Sequence, residues 1–362
     1  MAQCARHGIV RAAGVLFNNG AGSGTGGYLE QQIQYCTTPD GVRLAYAVTG
    51  EGTPFVRVSQ WMSHLDHEIQ SPVRRTFIIA LTQRHKLVRY DARGNGLSQR
   101  EVAEISFERW VSDLETIVDA AGIERFALFG ASQGAGIAIQ YAVRHPERVT
   151  HLIINGGFAR GNLFQEDPEK EAKLLELSRT LVREGWGSSQ ETYRQWFTSQ
   201  FIPGATAEEF HWFNELQRVS ATPDIAERYL VEAAKINVAE LLPKVKTPTL
   251  VIHSKGDVRV PFALGQEIAA HIPNAKLVPL DSINHMLLPS DPAGRVFFQA
   301  LTSFLGDPPL KGALPGTQTF RERLDASVKN VEQNWLVKVI IILAAITGCF
   351  IFALEAWRLW RH

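Results

Sequence analysis

The run Arg125-Phe126-Ala127-Leu128-Phe129 leads directly into Gly130-Ala131-Ser132-Gln133-Gly134, and a helical stretch from Gln133 to Arg144 follows, stopping near Pro146. An apolar strand that runs straight into a helix leaves the serine on a tight turn above the end of a sheet. Gly130 and Gly134 let the two backbones approach closely there. The helix N-terminus behind the serine favours negative charge developing beside it. Glycine and serine are common in loops, so the five residues alone read equally well as a plain glycine turn. The strand before them and the helix after them single out Ser132 as a nucleophile, with Gly130 and Gly134 forming its elbow.

The surrounding chain alternates strands with helices, the pattern of a mostly parallel, doubly wound α/β sheet covered on both faces. Ile33 to Thr37 and Val42 to Thr49 flank the hairpin signal Pro39-Asp40-Gly41. Further strands are expected at Phe55 to Val58, Lys86 to Tyr90, Leu152 to Asn155, Thr249 to His253 and Ala275 to Pro279, with a helix over Phe107 to Ala121. The alternation breaks between 158 and 243. That region reads as several helices carrying Trp186, Trp196 and Trp212, a helical cap inserted into a core of 31–157 and 244–305.

A serine hydroxyl is a weak nucleophile until a base takes its proton. In a sheet of this kind the partners follow in the order serine, acid, histidine. His285 lies just past the last strand, in a loop that reaches back over the sheet edge. His253 falls inside a strand and reads as a packed core histidine. The acid should follow a strand, and Asp257 in Gly256-Asp257-Val258 does so, with Asp281 as its rival. Two backbone N–H groups should hold an oxyanion, those of Gln133 and of Trp61 in the Ser59-Gln60-Trp61 loop. The Trp61 side chain would then face a substrate; His64 reads equally as a substrate contact or as loop packing.

On these residues the chain resembles the α/β-hydrolase fold family over about 34–305. The resemblance includes the segment Tyr90-Asp91-Ala92-Arg93-Gly94-Asn95-Gly96-Leu97-Ser98 and the Gly256-Asp257 and Asn284-His285 loops. More narrowly, Trp61-Met62-Ser63-His64-Leu65 and Gly156-Gly157-Phe158-Ala159-Arg160-Gly161 are similar to hydrolase modules fused to nucleotide-cyclase or helix-turn-helix domains of bacterial signalling proteins. The family's early loop usually reads His-Gly where this chain has Ser59-Gln60. The resemblance implies a serine hydrolase that cleaves a carboxylic ester, lactone or related small acyl compound through an acyl-enzyme, with no metal or organic cofactor. The alternative is a ligand-binding sensor that keeps the hydrolase fold with little turnover.

The ends differ from the middle. Residues 1–30 include the tract Asn18 to Gly27, which is too glycine-rich to offset its ordering entropy and reads as a disordered arm. Its GxGxxG spacing at Gly22, Gly24 and Gly27 has no strand before it and no helix after it, which argues against a dinucleotide site. From Val339 to Leu354 there is no charge, and Trp335, Trp357 and Trp360 flank the run. That pattern predicts a transmembrane helix over 336–356 behind a linker and juxtamembrane helix at 306–335. The expectation is a single-pass membrane protein with a lipid bilayer as partner and its catalytic domain facing the cytoplasm. The stripe Phe320, Leu324, Val328, Val331 and Trp335 would pack on that domain or pair two copies as a homodimer. Lys plus Arg and Asp plus Glu number 37 each, so no net field draws nucleic acid. Cys4, Cys36 and Cys349 are too scattered for a disulfide or zinc pattern.

Overall fold

The computed structural model describes residues 7–16, 28–188 and 190–308. Nine strands form one sheet: β1 (His7–Leu16), β2 (Tyr28–Thr37), β3 (Arg43–Thr49), β4 (Thr53–Arg57), β5 (His85–Tyr90), β6 (Phe126–Ala131), β7 (Val149–Asn155), β8 (Thr249–Ser254) and β9 (Lys276–Leu280). Their spatial order is β1-β2-β3-β5-β4-β6-β7-β8-β9. The pairs from β1 to β5 along one flank are antiparallel, and those from β5 through β4 to β9 are parallel. Among the described residues ten α-helices accompany them: α1 (Leu65–Gln70), α2 (Arg75–Thr82), α3 (Phe107–Ala120), α4 (Gly134–Arg144), α5 (Pro168–Gly185), α6 (Thr192–Phe201), α7 (Ala207–Ser220), α8 (Pro223–Ala234), α9 (Phe262–His271) and α10 (Ala293–Leu305).

The central strands are apolar on both faces because both faces are covered. Successive side chains point to opposite sides. Leu128, Leu152, Ile154 and Val251 therefore pack with Val111 and Leu114 of α3, Ile137 of α4 and Ile268 of α9. Their neighbours Phe129, Ile153, Leu250 and Ile252 pack with Ile78 of α2 and with Phe297, Phe298 and Leu301 of α10. Each such side chain contributes about 1.5–3 kcal/mol by leaving water.

Helices α5 to α8 form the cap between β7 and β8. Local signals set their starts. Asp167 accepts from the Lys170 amide ahead of Pro168, Thr206 and Glu209 make a reciprocal capping box, and Thr222 precedes Pro223. The two segments joining cap to core pair with each other: Gly161 N–H donates to Ile236 O at 2.7 Å and Val238 N–H to Ala159 O at 2.8 Å.

Two expectations are corrected. The arm read as disordered over 1–30 contains β1, paired antiparallel with β2 from Arg11↔Ile33 to Leu16↔Tyr28. Backbone groups alone can extend a sheet edge, so this strand needs no apolar alternation to mark it. The glycine tract that follows lies outside the described residues. So does the transmembrane helix expected over 336–356. Among the described residues no helix is long and apolar enough to cross a membrane. The longest, α5, carries acidic and basic residues along its length. The α/β core with its inserted cap stands, and the transmembrane helix is withdrawn from the fold class.

A charged knot sits inside this fold. Glu68 of α1 takes a bidentate pair from Arg57 of β4 at 2.9 and 2.9 Å, and Arg89 of β5 approaches at 3.4 Å. All three are buried. Burial alone would raise the Glu68 carboxyl, but Arg57, Arg74 and Arg89 bring it down to about 2. Removing the carboxylate takes the shared anion from three guanidinium groups and both hydrogen bonds from Arg57. Glu68→Leu is expected to cost roughly 3–5 kcal/mol in denaturant unfolding. In the wild type the depressed carboxyl stabilises the fold above its unfolded value of 4.5, and this contribution is lost as pH falls from there towards 2. A pH series of melting temperatures should show that loss in the wild type and a shallower one in the variant.

Candidate active site

Loops leave the C-terminal ends of the parallel strands at one edge of the sheet, where crevices form in open α/β folds. After β6, Ser132 takes φ +52°, and after β4, Met62 takes φ +61°. Both are left-handed conformations that side chains other than glycine adopt at a cost, and such strain gathers at functional sites. The Ser132 amide donates to Asn155 O at 3.0 Å, and the Ala135 amide to Ser132 O at 3.0 Å. Gly130 is required here, because a Cβ would stand 2.5 Å from the Gly134 carbonyl oxygen. Gly134 is less constrained; its Cβ would meet Val58 at 3.4 Å.

After β8, Asp257 is buried, and its Oδ1 accepts from the amides of Arg259 and Val260, both at 2.9 Å. Its Oδ2 lies 2.7 Å from His285 Nδ1 in the loop after β9. Burial would raise this carboxyl, but the His253 ring 3.5 Å away, the bond from His285 and the Val260 amide hold it well below the usual carboxylate range. Asp257 is therefore a fixed anion that keeps the proton on His285 Nδ1 and leaves Nε2 free to accept. The rival, Asp281, has a side chain 97% exposed and lies 4.0 Å from Lys255 Nζ. The glycine pair after β7 brings the serine and the histidine loop together. A Cβ at Gly156 would stand 3.2 Å from His285 Cε1, and one at Gly157 would stand 3.7 Å from the Ser132 carbonyl oxygen.

The cap reaches into this group. The amides of His285 and Met286 both donate to Phe201 O at the end of α6, at 2.9 and 3.2 Å. Gly204 N–H donates to Asn284 Oδ1 at 2.9 Å. The Phe201 ring meets the His285 ring edge-on at 5.4 Å.

The loop after β4, expected to supply an oxyanion donor, is held from outside. Asn95 Oδ1 accepts from the Met62 amide at 3.1 Å, and Asp91 Oδ2 from the amides of Leu65 and Leu97 at 3.2 and 2.8 Å. Burial pushes the Asp91 carboxyl up to about 7 in spite of these bonds. Gln60, which stands where a glycine is usual, turns its amide to donate to Ala131 O at 3.1 Å and to accept from Arg74 at 2.9 Å. It thereby ties this loop to the residue before Ser132. The Trp61 indole is buried, stacked on Trp186 of the cap with centroids 5.4 Å apart and edge-on to Phe197 at 5.2 Å. His64 caps α1 by accepting from the His67 amide at 3.3 Å, and burial shifts its imidazole downward. Sequence reasoning passed over Asp91, Asn95 and Phe201; of these only the Tyr90–Ser98 segment carried a signal, as part of the resemblance.

Comparison with known proteins agrees with this architecture. The family model described as alpha/beta hydrolase fold matches residues 62–292. The protein named carbamate hydrolase RutD of Azorhizobium caulinodans is 28% identical over 267 residues, covering 73% of this chain and 95% of its own length. A 2-hydroxymuconate semialdehyde hydrolase of Pseudomonas putida is 28% identical over 218 residues, 56% of this chain and 72% of that protein. Among solved structures, the enol-lactonase of Burkholderia xenovorans superposes with a TM-score of 0.62 at 19% identity, over 75% of this chain and all of its own. The family model spans more than half of the 362 residues, and on that match the chain belongs to the α/β-hydrolase fold family.

Proposed function

We propose that this α/β hydrolase cleaves a small carboxylic ester, lactone or related acyl compound through a covalent acyl-serine. The observation that carries the reading is the 2.7 Å His285–Asp257 pair at the sheet edge where Ser132 sits on its strained turn. Ser132 Oγ attacks the acyl carbon as its proton passes to His285 Nε2. The tetrahedral oxyanion is met by the amide N–H groups of Gln133 and Trp61. The leaving group departs with the proton from His285, and the acyl group stays on Ser132. Water then attacks the acyl carbon as its proton passes to His285, and the acid leaves as that proton returns to Ser132 Oγ. Asp257 remains ionised throughout and stabilises the imidazolium. Stacking of Trp61 on Trp186 under the cap supports acyl groups of small size and apolar character. The relative named carbamate hydrolase makes a carbamate a further acyl class for this chain.

The test is labelling with a fluorophosphonate probe, followed by a panel of p-nitrophenyl esters from acetate to octanoate, simple lactones and aryl carbamates. The expected result is stoichiometric labelling of Ser132 and a kcat/KM that declines from short to long acyl chains. Absence of labelling together with absence of turnover across the panel would overturn the reading and leave the ligand-binding sensor.

A further inference from the structure

His253 lies directly behind the site at the end of β8, fully buried. Its Nε2 is 2.8 Å from Val260 O and 3.5 Å from Asp257 Oδ2. Both neighbours are acceptors, so the hydrogen of the ring sits on Nε2. Nδ1 has no hydrogen-bond partner among the described residues. The ring is wedged in place: a Cβ on Gly265 of α9 would fall 2.2 Å from Nδ1, and Phe262 meets the ring edge-on at 5.8 Å. Val260 links the two residues through one peptide unit. Its N–H goes to Asp257 Oδ1 at 2.9 Å while its C=O takes the His253 proton.

Asp257 is thus gripped on both oxygens. Oδ1 takes two backbone amides. Oδ2 takes His285 in front and faces the Nε2–H of His253 behind. The other cation near it is the Arg259 guanidinium, which lies over the rings of Phe197 and Phe201 at 5.5 and 5.3 Å and donates to Gln200 Oε1 at 3.3 Å.

We propose that His253 is a positioning residue for the reaction, fixing Asp257 and drawing off part of its negative charge so that His285 is neither misaligned nor overly basic. This rests on the assignment of Ser132, His285 and Asp257 made above. An apolar ring in place of His253 would leave Val260 O and Asp257 Oδ2 without that donor. The carboxylate would then concentrate more charge on His285 and raise the pH at which its imidazole loses a proton.

The experiment follows the rate of Ser132 phosphonylation by a fluorophosphonate across pH in wild type, His253→Phe and His253→Gln. Glutamine carries an N–H near the position of Nε2. The Phe variant should react roughly 10–100-fold more slowly, the range seen when an outer partner of a working group is removed. Its acidic limb should move up by about half a unit to one unit. The Gln variant should recover the wild-type midpoint. A slower rate with an unmoved midpoint, or no change in either, would overturn the proposal. If the wild type itself is not labelled, the serine assignment fails instead. Should the Phe variant not fold, ¹⁵N-histidine spectra of the wild type decide: an Nε2–H tautomer whose shift moves in Asp257→Asn supports the proposal, and an Nδ1–H tautomer overturns it.

Discussion

Ser132→Ala is expected to abolish fluorophosphonate labelling and to lower kcat by roughly 10⁵–10⁶-fold. The loss is this large because the hydroxyl is both the attacking atom and the atom that bears the acyl group. Alanine accepts the φ of +52° no worse than serine does, and the bonds that fix the turn, Ser132 N–H to Asn155 O and Ala135 N–H to Ser132 O, are backbone bonds. The melting temperature should therefore be unchanged, which separates lost chemistry from lost fold. Wild-type labelling in the variant would remove Ser132 from the mechanism.

The second large effect is expected from the acid. Asp257→Asn keeps the volume but puts an amide where His285 Nδ1 and two backbone N–H groups need acceptors. The imidazole is then held in the wrong tautomer and its protonated form loses a neighbouring anion. A fall in kcat of about 10⁴-fold should follow, read in the same ester assay with KM little altered. Asp281→Asn should leave kcat unchanged, because that side chain stands in solvent beside Lys255. If Asp281→Asn proved the damaging change, the acid would have to be reassigned.

What the sequence could reveal followed the range of the interaction. The elbow was legible because a strand, a turn and a helix within twenty residues define it. The places of Asp257 and His285 were legible because each lies just after a strand whose order in the chain is constrained. The parallel strands were recognisable as apolar runs, and β6 and β8 are buried along nearly their whole length. That continuous burial also hid His253: a run apolar on both faces does not say which side chain turns towards Asp257. The Glu68–Arg57–Arg89 knot and the Asp91 and Asn95 bonds to the loop after β4 join residues 11 to 33 positions apart. No periodicity marks such partners. In the cap, the helices could be expected from composition, but nothing local marked Phe201 as the residue whose carbonyl would carry the His285 loop.

That carbonyl makes the cap an interlock. The His285 and Met286 amides end on Phe201 O, and Asn284 is tied to Gly204 just beyond it. Were α6 displaced, the His285 and Met286 amides would lose the one acceptor on which both end. Changes in α6 therefore reach the His285 loop through the backbone rather than through a side chain. The same feature restricts how the cap can be exchanged: a replacement must bring an acceptor to the position of Phe201 O, or two amides of the histidine loop are left unsatisfied.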